Sequence, residues 1–352
     1  MATYIDRPRR DGKDADDWKP DNEAEVAALI DELYAAGRPL YPREVLQHVR
    51  DQLRKPLSNG DLIYVKVFDG SVYEYPVQTG NTKWRPDYGS EDEDKVVEWV
   101  LTTPRIYYTA LEHLKRNLKW SLSRAYCSVG VAHEMVRKDQ EPDPPSDFDA
   151  GLRFFNDALQ SWKEGHAWKE LLATLQSLPL RTNLHKVIGM ACGDFTGKKS
   201  TPSCRRSAVQ HALLLTIRNA LQGSDIESAD VACYAQDPAY TETDQSVLEH
   251  SGIQVVQDPE GYLQMDDYSL VFCCAPNICN KQIIADIARP AIMILDTVRN
   301  DDPEFSVTDP HSPRVHEMIV NDYDSYPFPV DDDNFTRMTM YVSKEALDFG
   351  KL

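Results

Sequence analysis

Several familiar signals are missing from this sequence of 352 residues. It contains no run of about 18 apolar residues, so a transmembrane helix is not expected. None of its seven cysteines stand as a Cys-x-x-Cys pair, and the usual spacing of a structural zinc site is therefore absent. There is no Gly-x-Ser-x-Gly, no P-loop and no His-Glu-x-x-His, which removes three well-marked classes of chemistry. Basic residues are scarce: 38 Lys and Arg stand against 57 Asp and Glu, a formal net charge of −19. Such a surface repels a phosphate backbone, so neither nucleic acid nor membrane is expected as a partner. Lys198, Lys199, Arg205 and Arg206 form the best local basic cluster.

The first ten residues, Met-Ala-Thr-Tyr-Ile-Asp-Arg-Pro-Arg-Arg, lack the apolar core of a signal peptide. Cys127, Cys192, Cys204, Cys233, Cys273, Cys274 and Cys279 fall largely in apolar, strand-like stretches. Free cysteine behaves there as a small hydrophobe, which suits a reducing compartment, the cytoplasm first and the nucleus second. Apolar residues at 41% and charged residues at 27% are ordinary for a globular chain.

Four segments follow from patterning. Residues 1–22 are polar and proline-flanked and are expected to be disordered. Residues 23–138 read as a helical region: Val26, Leu29, Ile30 and Leu33 recur at helical spacing, Tyr41 to Leu53 gives a second helix, and helical patterns resume from Lys95 through Arg137. Within this region Leu62–Phe68, Asp69-Gly70 and Ser71–Tyr75 signal a β-hairpin with a type I′ turn. Residues 79–95, with Trp84, read as a polar loop. An acidic, proline-rich linker covers 139–148. Residues 149–352 form the last segment, opened by one long helix from Asp149 to Gln176 whose aromatic face covers a core.

The core of that segment, 184–297, alternates strands and helices. Apolar runs near 186–192, 230–235, 253–256, 270–274 and 291–295 are the strands. Helices follow from Ser203 to a Gly223 stop, from Thr241 to His250 and from Lys281 to Ala288. The expected fold class is α/β: a Rossmann-like, mainly parallel sheet with helices on both faces, preceded by a mostly helical part with a hairpin. A short helix near 312–320 and a strand from Phe335 to Val342 follow.

Ligands in such sheets bind beyond the carboxyl ends of the strands. The polar residues placed there are the site candidates: Gly189, Gly193, Asp194 and Phe195 after the first strand, in a loop that continues through Gly197, Ser200, Thr201 and Pro202. Gln236, Asp237, Tyr240 and Asp244 follow the second strand. Pro276, Asn277, Lys281 and Gln282 follow the fourth. Gly189 and Gly193 either permit a turn or admit a ligand close to the backbone. Asp237 is placed to accept a ribose hydroxyl or to start an Asp-Pro turn. Lys281 stands at a helix start, where it meets an anion or solvent. His211 lies in an apolar helix as a hydrogen-bonded core residue, and no metal site is expected.

Read together, these segments resemble the SRR-like family, named for sensitivity to red light reduced. The carrying residues are Val187–Phe195, Ala208–Thr216, Tyr234–Tyr240, Asp258–Gly261, Ala275–Asn277, Lys281–Pro290 and Asp309–Val315. The form is similar to the fungal branch, although Ala191-Cys192-Gly193-Asp194 stands where many fungal members have a Gly-x-Gly-like pattern. The resemblance implies an intracellular protein tied to regulation: light and clock signalling in plants, haem metabolism in animals, cytoskeletal phenotypes in yeast. A role beside a specialised metabolic pathway of a fungus is a further implication. It carries over no catalytic residues. Three readings follow, the first preferred: a non-catalytic regulatory module binding a small ligand (nucleotide, S-adenosylmethionine or haem), a methyltransferase-like enzyme, and an interaction scaffold for protein partners.

Overall fold

A computed structural model describes residues 2–10, 12–14, 22–87, 95–119, 122–140, 146–180, 183–197, 202–222, 231–299 and 308–347. Gly223, Lys198, Lys199, Ser200 and Thr201 lie outside the described residues. The chain divides into two compact units, Met1–Asp143 and Pro144–Leu352.

The first unit holds more strand than the sequence reading allowed. Its strands are β1 (Ala2–Ile5), β2 (Arg9–Arg10), β3 (Lys13–Asp14), β4 (Leu62–Lys66), β5 (Val72–Pro76), β6 (Thr82–Pro86), β7 (Val96–Tyr108) and β8 (Val129–Arg137). Its helices are α1 (Glu23–Ala35), α2 (Arg43–Leu53) and α3 (Leu111–Asn117). The strands make two antiparallel sheets, ordered β1-β8-β7-β6 and β3-β2-β5-β4.

This overturns most of the helical reading of 95–137, where Leu111–Asn117 is the one described α-helix, and the mostly helical description of the front part. In β7 the burial alternates strictly over Val96, Val97, Glu98, Trp99, Val100 and Leu101, which is the period of a strand. Within the expected polar loop of 79–95, Thr82–Pro86 form strand β6, paired through Trp84↔Glu98, while residues 88–94 lie outside the described residues. Residues 2–5, expected to be disordered, pair with β8 through Thr3↔Glu134. The expected hairpin is present as β4 and β5. Its turn is not type I′: among the described residues, only glycine Gly70 (φ 93°) takes positive φ in the loop, whereas type I′ needs two such residues.

The second unit holds helices α4 (Phe148–Glu164), α5 (His166–Ser177), α6 (Pro202–Gln222), α7 (Glu242–His250), α8 (Glu260–Gln264), α9 (Asn280–Ile287) and α10 (Pro313–Asp322). Its strands are β9 (Lys186–Met190), β10 (Ala232–Gln236), β11 (Gln254–Val255), β12 (Ser269–Cys273), β13 (Ile292–Asp296), β14 (Tyr323–Pro327) and β15 (Met338–Ser343). The single long helix expected over 149–176 is two helices, because Gly165 takes extended backbone with ψ 154°.

The seven strands form one sheet in the order β11-β10-β9-β12-β13-β15-β14. β11 through β13 are parallel, and β15 runs antiparallel to both its neighbours. The unit is therefore mixed α/β: a parallel half carries an antiparallel extension that the sequence reading lacked. The inner strands are apolar on both faces, with Ser269 to Cys273 buried throughout, as expected of strands covered on each side. Gly189 belongs to this packing. A Cβ there would lie 2.3 Å from Leu214 Cδ1 of α6, so its missing side chain lets the helix approach the sheet.

Candidate functional site

β9, β10, β12 and β13 run parallel, so their carboxyl ends share one edge of the sheet. β9 lies between β10 and β12. The chain moves to one side of β9, then returns to the other at β12, which makes a topological switch point between β9 and β12.

Two strained residues mark the loops that flank this point. Among the described residues the only non-glycine positions with positive φ are Ala191 (54°) and Ala275 (48°). One follows β9 directly and the other lies two residues beyond β12. A left-handed L-residue costs roughly 1–2 kcal/mol and persists only where its surroundings hold it. The Ala191 amide donates to the Gln236 carbonyl at 3.0 Å. The Ala275 amide donates to the Asp296 carboxylate at 2.8 Å.

Carboxylates fasten the loop after β9. Gly193 has φ 75°, and a Cβ there would lie 2.7 Å from Ser207 Oγ. Its amide donates to Asp237 Oδ2 at 2.7 Å, while Asp237 Oδ1 accepts from the Ala239 amide at 2.8 Å. Asp244 accepts at Oδ1 from the amides of Phe195 (3.1 Å) and Thr196 (2.8 Å). Its Oδ2 accepts from the Thr241 amide at 2.8 Å and the Thr241 hydroxyl at 2.7 Å. Thr241 and Asp244 together form the capping box of α7. The amides of Gly193, Phe195 and Thr196 are thus occupied by the protein's own acids.

Burial raises the Asp237 carboxyl above its ordinary value, against the lowering effect of the amides. Burial also raises Asp194, with the nearby Asp244 charge as the second cause.

His211 and Tyr240 lie behind this loop. His211 Nδ1 is 2.6 Å from the Ser207 carbonyl and Nε2 is 2.7 Å from the Tyr240 hydroxyl. A carbonyl only accepts, so Nδ1 carries the proton and Nε2 accepts from the phenol. Burial pushes His211 down to about 4, and the imidazole is neutral. The buried Phe195 ring stacks near His211 (centroids 5.4 Å apart) and Phe155 (5.5 Å). His211, Tyr240 and Phe195 are packing residues beneath the loop.

Gln236 joins the ends of neighbouring strands. Its Oε1 accepts from the Gly261 amide at 2.7 Å and its Nε2 donates to Asp258 at 3.1 Å.

A different arrangement holds the loop after β12. Lys281 is only 3% exposed, and its Nζ donates to Asp309 Oδ2 at 2.7 Å. The Lys281 amide donates to Asp309 Oδ1 at 3.0 Å. Burial pulls the ammonium pKa down, but the Asp309 carboxylate outweighs it and the net shift is upward. Gln282 Nε2 donates to the Pro310 carbonyl at 3.2 Å, and the Thr308 hydroxyl donates to the Pro276 carbonyl at 2.6 Å. The opposite wall is completed by Asp296, which also accepts from the Thr336 hydroxyl.

The sequence-derived candidates therefore separate into groups. Gly193, Phe195, Asp237, Tyr240 and Asp244 share one network. Lys281, Gln282 and Pro276 belong to a second, with Thr308, Asp309 and Pro310. Asp194 and Asn277 remain at the edge: Asp194 is half-buried, Asn277 is exposed, and neither side chain hydrogen-bonds to another described residue. Sequence reasoning missed Asp296 and Thr336, as well as the strained alanines. Asp296 was the recoverable signal, since it stands at the end of β13, a parallel strand like those whose ends supplied the other candidates.

The cysteines Cys192 and Cys273 are buried with thiols pushed well up, which keeps them protonated and poor as ligands. Among the described residues, no three His, Cys, Asp or Glu side chains gather in a metal-holding arrangement. No described helix is long and apolar enough to cross a membrane.

No curated protein matches the chain. Among solved structures, one similar chain comes from the complex between the Haloferax volcanii Trm112 methyltransferase activator and a protein designated a methyltransferase. That match has 12% identity and a TM-score of 0.28, covering 57% of this chain and 99% of the other. Another is the MycE methyltransferase of the mycinamycin biosynthetic pathway, bound to Mg, SAH and mycinamycin VI. It has 12% identity and a TM-score of 0.30, covering 94% of this chain and 92% of the other. Likenesses this weak carry no functional argument. The sequence match is of another kind: residues 171–342, which run from within α5 through β9 to all but the last residue of β15, match the SRR1 domain.

Proposed function

We propose that the SRR1 domain is a regulatory, ligand-binding module whose site is the crevice between the loops after β9 and β12. The sheet serves it as a Rossmann-like scaffold. The observation that carries the reading is the pair of left-handed alanines, Ala191 and Ala275, on the two loops that flank the switch point. Strain retained at two such neighbouring places has the pattern of a ligand clamp. The ligand is a nucleoside-like molecule bearing hydroxyl donors rather than a phosphate. Asp237 and Asp244 already occupy the amides of Gly193, Phe195 and Thr196, while Asp194 and Asn277 are left to meet it.

The test is a thermal-shift series on the full chain with adenosine, S-adenosylmethionine, ATP and haem. Adenosine-type ligands are expected to raise the melting temperature, with the shift lost in Asp194→Asn and Asn277→Ala. No shift with any of the four, or equal shifts in both variants, would sink the reading.

A second reading, a methyltransferase-like enzyme using S-adenosylmethionine, is favoured by one specific observation. The order of the first five strands is that of a doubly wound nucleotide sheet, and the reversed β15 lies between β13 and β14. A sheet of this order holds nucleoside-bearing cofactors at its switch point, which suits S-adenosylmethionine. Transfer of a labelled methyl group from S-adenosylmethionine to protein or small-molecule acceptors in a cell extract separates the two readings.

A further inference from the structure

The second unit contains a cleft of about 480 Å³ formed by α4, the start of α5, α6 and the segment before β15. It shares no residue with the carboxyl edge. Its volume falls within the range of small-molecule sites, about 300–1,000 Å³. The floor is apolar, made by Trp162 and Val209, and Val330 at the lip is 84% exposed. An aliphatic side chain so open to water beside an apolar floor is surface that a ligand's apolar body would cover.

The walls carry opposite charges that do not meet each other. Arg205 has a single hydrogen bond, to the neutral Ser161 hydroxyl at 3.2 Å, and no carboxylate partner among the described residues. His166 and Ala167, the first residues of α5, share the cleft with it, and no side chain caps that helix start. A planar guanidinium and a free helix start both favour a carboxylate. Elsewhere on the lining, Asp332 and Asp333 are exposed and without hydrogen-bond or ion-pair partners. Asp331 is different, because Asn334 Nδ2 bonds both its oxygens, at 3.0 and 2.8 Å.

We infer that this cleft binds an α-amino acid with a large apolar side chain. Its carboxylate meets Arg205 and the start of α5, its ammonium meets Asp332 and Asp333, and its side chain covers Trp162, Val209 and Val330. An anion alone would leave the two aspartates unanswered, and a cation alone would leave Arg205 so.

Isothermal titration of the full chain with L-phenylalanine, L-phenylalaninamide and N-acetyl-L-phenylalanine tests this. L-phenylalanine is expected to bind, and each blocked form to bind at least about tenfold more weakly. Arg205→Gln should abolish the preference for the acid over the amide. The double variant Asp332→Asn, Asp333→Asn should abolish the preference for the free over the acetylated amine. All three substituted side chains are exposed, and circular dichroism checks that the variants fold. Absence of binding at about 10 mM L-phenylalanine, or unchanged preferences in the variants, overturns the assignment. Because Asp194 and Asn277 lie outside the cleft, their variants leave this binding intact whatever becomes of the crevice.

Discussion

The loops leaving β9 and β12 lie side by side and begin with the same kind of strain, yet they are fastened by different chemistry. After β9, two carboxylates meet backbone amides and a hydroxyl. After β12, one carboxylate meets an amide and a hydroxyl while another is paired with a buried ammonium. Hydrogen bonds from neutral amides fail one at a time. A buried ion pair fails as a unit, because loss of either charge leaves the other desolvated. The loop after β9 is therefore expected to be the more adjustable of the two, and the loop after β12 the more rigid.

Substitutions can reverse or sharpen this contrast. Lys281→Met should have the largest effect, about 3–5 kcal/mol of destabilisation by urea denaturation, since it strands Asp309 in the interior. Asp244→Ala follows. It removes the capping box and leaves the amides of Phe195 and Thr196 without their acceptor, which together cost about 2–4 kcal/mol. If Asp244→Ala proved the more damaging, the adjustable wall would be the other one. Gly193→Ala should cost about 1–2 kcal/mol for the left-handed backbone, with the Ser207 hydroxyl forced to turn aside, and should loosen only the β9 loop in hydrogen exchange.

Asp194→Asn should have the smallest effect and the most informative pH profile. Burial holds the Asp194 carboxyl above its ordinary value. A carboxyl so raised favours folding below its unfolded pKa, about 3.9, and loses that contribution as pH rises through the raised value. The Asn variant lacks this loss. Its melting temperature should therefore exceed the parent's at neutral pH, and the gap should close toward about pH 4. A gap independent of pH would show that Asp194 is not the group responsible.

Most of the second unit was legible because its strands are short apolar runs bounded by Gly, Pro and Asp. The loop acids Asp237 and Asp244 fell at strand ends on simple counting. Their partners could not be read. Gly193 and Asp237 are 44 residues apart, and Lys281 and Asp309 are 28 apart, distances over which periodicity says nothing. The first unit was misread at 95–137 for a local reason. Val96, Val97, Trp99, Val100 and Leu101 satisfy both a helical and an alternating template, and only the pairing with β6 and β8 decides between them. Alternation through Glu98 and β-branched enrichment were the available hints. The residue types gave no sign of the strained alanines, since alanine has no preference for positive φ.

The place of β15 has a consequence for how the protein is made. This strand stands inside the sheet, between β13 and β14, although it follows both in the chain and is the last of the described strands. Until residues 338–343 leave the ribosome, β13 presents an open edge and β14 has no partner in the sheet. The parallel half can assemble earlier in translation, but the sheet can be closed only once residues 338–343 have emerged. A nascent chain stalled before Met338 would therefore carry an exposed strand edge, the kind of surface that chaperones capture.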